Sequence, residues 1–137
     1  MKDINTPLQK AYYDAISALS IPVFEGEEPN NTNEPIYVVL HDINSTEASN
    51  KYSFAFNASI QVSIHSIKSN VNNSVDINEK AGLILDAIKP EVISSLLADS
   101  ISIVTTNISV DRQTRNKIGD TAFITRDIIF NHLIHYN

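Results

Sequence analysis

Residues 52–66, YSFAFNASIQVSIHS, alternate with a period of two. Tyr52, Phe54, Phe56, Ala58, Ile60, Val62 and Ile64 fall on one side of an extended chain, and Ser53, Ala55, Asn57, Ser59, Gln61, Ser63 and His65 on the other. That is the signature of a strand with one buried face. It is far longer than the usual strand of about 5–6 residues. Its polar side carries no formal charge, although Lys51 and Lys68 sit just outside it. A face meant for bulk water usually recruits Lys and Glu. A face covered by another chain avoids lone charges, because burying one is costly, and uses Ser, Asn and Gln across a wet contact instead. Ser53, Asn57, Ser59, Gln61 and Ser63 are therefore a candidate interface stripe. The competing reading is a solvated face in a chain rich in Ile, Asn and Ser.

The neighbours of this strand set the fold class. Upstream, Thr6 and Pro7 read as N-cap and first helical position, followed by Leu8, Ala11, Tyr12, Ala15, Ile16 and Leu19 at helical spacing. This predicts a helix over 7–20. Pro22 cannot continue it, so 21–24 reads as a short extended piece. The acidic, proline-bounded run EGEEPNNTNEP is a turn region, and 36–43 (IYVVLHDI) is a β-rich run. The short connection from there to the long strand favours antiparallel pairing. Downstream, Asp76 and Glu79 stand at capping-box spacing before the stripe Ile77, Ala81, Ile84, Leu85 and Ile88, which predicts a second helix over 77–89. A short helix is expected at 92–97, strand at 101–104 and 108–110, a polar hairpin loop at 111–120, and a last long strand over 122–136. The order describes one α+β domain over residues 1–137, a mainly antiparallel sheet with two amphipathic helices packed on one face. Its shared core is expected to hold Leu8, Tyr12, Ile16, Phe54, Phe56, Ile60, Val62, Ile84, Leu85 and Ile88.

Composition narrows the function. The chain has 137 residues and no cysteine, which excludes disulfides, thiolate metal sites and cysteine catalysis. A net charge of −6 argues against a dedicated nucleic-acid binder. No apolar run approaches the ~18 residues of a membrane span. The N-terminus has no signal-peptide core, so the chain is expected to start in the cytoplasm.

Catalytic and metal motifs are sparse. The four histidines, His41, His65, His132 and His135, fall on predicted strands without metal-ligand spacing, and read as sheet-surface or edge groups. His132 and His135 should point to opposite faces, and the adjacent His41 and Asp42 should split across the sheet. No serine sits in a G-x-S-x-G elbow, and Gly26, Gly82 and Gly119 are isolated, so no phosphate-cradling loop is visible. No enzyme, cofactor or metal is expected. Arg112, Arg115 and Lys117 make a small basic patch in the expected hairpin loop. It reads either as a contact to phosphate, to an acidic partner or to a neighbouring chain, or as a solvated tip flanked by Asp111 and Asp120.

Taken in order, the helix PLQKAYYDAISAL, the segment IPVFEGEEP, the strand PIYVVL, the strand YSFAFNASIQVSIHS, the helix NEKAGLILDAIKP and the final RDIIFNHLIHYN resemble the tail-completion, or tail-terminator, proteins of long-tailed bacteriophages. The likeness spans nearly the whole chain and lies in order and length, without a diagnostic residue. The acidic stretch at 25–34 and the Asn-rich stretch at 70–74 depart from the family pattern. The resemblance implies a ring, usually a hexamer, on the head-proximal end of the tail tube. Such a ring stops tube growth and offers a surface to the neck. The implied partners are further copies of itself, the major tail-tube protein and a neck or head-completion protein. DNA would pass through the ring without specific binding, with no membrane involved. The protein would act in the host cytoplasm during assembly and then in the virion. Alternatives are a head-closure or neck adaptor protein, a small α+β domain binding a ligand or partner between sheet and helices, and a small hydrolase.

Overall fold

The computed structural model describes residues 3–26, 35–48, 54–69, 73–90, 93, 97, 101–119 and 121–136. Helix α1 (Asn5–Ser17) leads into β1 (Val23–Glu25), β2 (Ile36–Glu47), β3 (Phe54–Ser69), helix α2 (Asn73–Ala87), β4 (Ile101–Ile118) and β5 (Thr121–Tyr136). The strands form one sheet in the order β1-β2-β3-β5-β4. All pairs are antiparallel except β1 with β2. The fold is therefore α+β, as its hydrophobic periodicities require.

The long strand is the spine of the sheet. β3 pairs with β5 without a break from Phe54↔Tyr136 to Ser69↔Thr121. Its even-numbered residues Phe56, Ala58, Ile60, Val62 and Ile64 are all buried in the core, together with Leu8, Tyr12 and Ile16 of α1 and Ile77, Ile84 and Ile88 of α2. Both helices thus lie on one face. Leu85 packs against this core while half-buried. Phe54 departs from expectation and is 56% exposed. It is the first residue of β3, opposite the last residue of β5.

Element ends differ in instructive ways. The N-cap position of α1 is Ile4, not Thr6, and the side chain of Asp3 just before it serves the helix end: its Oδ1 accepts the backbone N–H groups of Asn5 (3.0 Å) and Thr6 (3.4 Å). Hydrogen bonding from Thr6 holds the Asp3 carboxyl below its ordinary range. The helix closes early, through Ser20 at φ 61°. α2 starts before Asp76, which sits within its first turn, where a carboxylate still suits the dipole. The short helix expected at 92–97 lies mostly outside the described residues, though Ile93 and Leu97 are buried.

The largest correction concerns β4. The expected hairpin loop at 111–120 is strand as far as Ile118, paired with β5 down to Ile118↔Thr121. Gly119, at φ 59°, takes the chain round the tight turn that follows, a conformation open to glycine. The expected interruption at 105–107 is absent. Val104 and Ser109 instead stand as extra residues in the ladder, where the register shifts.

Candidate functional site

The face of the sheet turned away from the helices carries the candidate stripe. Asn57 is exposed, Ser59 and Gln61 are half-buried, and Ser63 is buried at 2% exposure. Ser53 lies outside the described residues. Asn57 and Ser59 line a shallow polar hollow with Asn44, Thr46 and Asn131. This end of the stripe is open, uncharged and rich in amide and hydroxyl groups.

At its other end the stripe runs into a charged network that sequence reading missed. The Ser63 hydroxyl donates to Asp127 Oδ1 at 2.6 Å, and Gln61 Nε2 donates to Ser63 Oγ at 3.3 Å. His41 Nε2 lies 2.7 Å from the same oxygen, and its Nδ1 lies 3.1 Å from Asp42 Oδ2. Arg112 Nε stands 3.7 Å from Asp127 Oδ2. The network borders a hollow of about 340 Å³ lined also by Val39, His65, Thr114 and Thr125. His65 stacks on Tyr37 with ring centroids 5.1 Å apart, and Phe24 meets Tyr37 edge-on.

His41 and Asp42 do not split across the sheet. The register shifts between His41 and Asn44, so two residues of β2 oppose one of β3, and Asp42 adopts φ 54°. That bulge folds the Asp42 carboxylate back onto the preceding imidazole. No residue type near 41 announces it, although an Asp is among the few residues that accept a left-handed conformation.

Asp42, His41 and Ser63 have the connectivity of a nucleophile triad, yet two features oppose that chemistry. The hydroxyl proton of Ser63 is directed to Asp127 rather than to His41. Ser63 as a whole is also only 2% exposed, where an attacking hydroxyl needs an open approach. Among the described residues, no group of three or more His, Asp or Glu side chains is placed to hold a metal ion. These bonds link β2, β3 and β5 across the middle of the face and leave Asn44, Thr46 and Asn57 exposed at its rim.

The basic patch is divided by the pleat. Arg112, opposite Asp127, belongs to the open face, while Arg115 and Lys117 stand opposite the buried Ile124 and Ala122, on the helix side. All three side chains are exposed. Also on the helix side, Arg126 holds both carboxylate oxygens of Asp111 at 2.9 and 2.8 Å and donates to Asn78 of α2 at 3.0 Å. This bond holds the Asp111 carboxyl below its ordinary range.

The histidines are not all surface groups. His132 is 2% exposed and is bound by the Tyr12 hydroxyl at Nε2 and by Thr106 Oγ1 at Nδ1, 2.9 Å away. Burial lowers its pKa to about 4 and raises that of Tyr12 well above the ordinary range. A neutral imidazole suits this place. One ring nitrogen then donates and the other accepts, and the Tyr12 and Thr106 hydroxyls can serve in either role. The pair ties α1 to β5 across the core.

No described helix is long and apolar enough to cross a membrane. No protein-family model matches the sequence, and no curated protein matches it either. A second solved chain, aligned over 95% of this one and 96% of its own length at 12% identity, reaches a TM-score of 0.49. The fold is, however, similar to that of a chain in the virion of a native gene transfer agent (GTA) particle. The likeness has a TM-score of 0.67 and 18% identity, and covers 93% of this chain and 94% of that one.

Proposed function

We propose that this protein is a virion structural subunit. It forms a ring on the head-proximal end of a phage-type tail tube, ends tube growth there and joins the tail to the neck. The observation that supports this most is the fold likeness, over 93% of the chain, to a chain of a GTA virion. The open polar end of the sheet face fits a wet contact with a neighbour. Six copies are expected, in contact with one another, with the tail-tube protein and with a neck or head-completion protein. A net charge of −6 suits a passage that lets DNA slide by without holding its phosphates. The protein is expected to work without catalysis, metal or cofactor, first in the host cytoplasm and then in the particle.

Adding purified protein to growing tail tubes tests this. Elongation should stop and a ring of density should cap one tube end in electron micrographs. Particles assembled without the protein should carry overlong tubes and tailless heads. Tubes of normal length that stay unattached would instead indicate head closure and refute tube termination. Unchanged particle assembly would refute both and favour a small binding domain.

A further inference from the structure

The sheet order places β1 and β4 at opposite edges. Along the outer edge of β4 no described strand pairs, and residues 111–117 are exposed throughout. Arg115 and Lys117 project from this edge on the helix side, and neither has an ion-pair partner among the described residues. Arg112 and Asp111 are engaged already, with Asp127 and Arg126.

The opposite edge is complementary. Glu25 of β1 stands opposite the buried Leu40, hence also on the helix side, where α1 runs alongside. Between α1 and β1 lies a groove of about 380 Å³ lined by Thr6, Gln9, Lys10, Tyr13, Asp14 and Glu25. Its two carboxylates outnumber its one ammonium. Tyr13, 40% exposed, offers an aromatic face on which a guanidinium can sit.

We propose that Arg115 and Lys117 of one copy dock into the Tyr13–Asp14–Glu25 groove of a second copy of this chain. This inference rests on the ring reading above and names the contact that closes it. Two different patches meet, so the contact is heterologous and propagates head to tail, as a ring requires. Both patches lie on the helix side, so successive copies need no inversion of the sheet. The basic tip of β4 is thereby a subunit contact rather than a solvated hairpin end.

The absence of cysteine makes the test clean. Positions 25 and 115 are separated by the width of a five-stranded sheet, about 19 Å at ~4.8 Å per strand gap. A disulfide needs Cα atoms within about 7 Å. Any bond formed in the variant Glu25→Cys/Arg115→Cys must therefore join two copies. Under mild oxidation, alone at high concentration or on tail tubes, this variant should give a ladder of covalent multimers that ends in a closed species. The control Leu83→Cys/Arg115→Cys, with its exposed partner site on α2, should not. Arg115→Glu/Lys117→Glu and Asp14→Lys/Glu25→Lys should each lose assembly alone and regain it when mixed one to one. All are surface changes, so circular dichroism should match the wild type. Wild-type rings on tubes, with no cross-linking and no effect of charge reversal, would overturn this contact and leave the ring standing. A wild type that never forms multimers, free or on tubes, would overturn both.

Discussion

Acidification should unlock the core at one histidine. His132 is buried and neutral, with a pKa lowered by burial from 6.5 to about 4. Between these values the unfolded chain takes up a proton that the folded chain refuses. Stability from this group is complete above pH 6.5, falls through the window from 6.5 to 4, and is flat below it. A gap of about 2.5 units at 1.36 kcal/mol each corresponds to a loss of ~3 kcal/mol, a large part of the roughly 5–15 kcal/mol of a typical domain. Urea unfolding at closely spaced pH values should show the midpoint sliding down across this interval. The Asp111 carboxyl, held below its ordinary 3.8 by Arg126, adds its own loss only beneath that window. The variant His132→Gln keeps an acceptor and a donor but cannot titrate, so its stability should vary less across the window. A wild type as stable at pH 4 as at pH 6.5, or a glutamine variant with the same slope, would refute the burial of a neutral imidazole.

Other expectations follow from single residues. Tyr12→Phe leaves Nε2 of His132 unpaired and should cost about 1–3 kcal/mol in chemical denaturation. Phe56→Ala, at a site 2% exposed in the core, should cost about 3–5 kcal/mol by the same measurement. Asn57→Lys, on the exposed end of the stripe, should leave the melting temperature unchanged and yet impair tube capping; capping at the wild-type level would show that the stripe faces solvent. Gln61→Glu is a less neutral probe, because it brings a second carboxylate towards Asp127 and should lower the melting temperature too.

The legible parts of this fold are those where one face is buried and the pleat is regular. β3 and the helix stripes repeat without interruption, and their core residues follow directly, except the exposed Phe54 at the first position of β3. β4 hid itself for two reasons. Its bulges at Val104 and Ser109 reset the alternation twice, so no single period runs through it. Its far half is exposed on both faces, so its composition matches that of a loop, and only the backbone ladder to β5 makes it a strand. The network around Ser63 was invisible for a different cause. Ser63 and Asp127 are 64 positions apart, and Tyr12 and His132 are 120 apart. Neighbours that distant leave no spacing to read.

The position of β5 has a consequence for how the molecule is made. It follows β4 in the chain, yet lies between β3 and β4. Until it is synthesised and inserted, β3 keeps a bare edge some sixteen residues long, β4 has nothing to pair with, and Tyr12 has no His132 to bind. The two longest strand pairings therefore wait for the same late segment, and a chain interrupted before it presents an open strand template to its neighbours. Folding should be slow, as expected for pairings distant in sequence, and close to all-or-none. A chain that stops before β5 leaves both long strands, β3 and β4, without the partner that joins them.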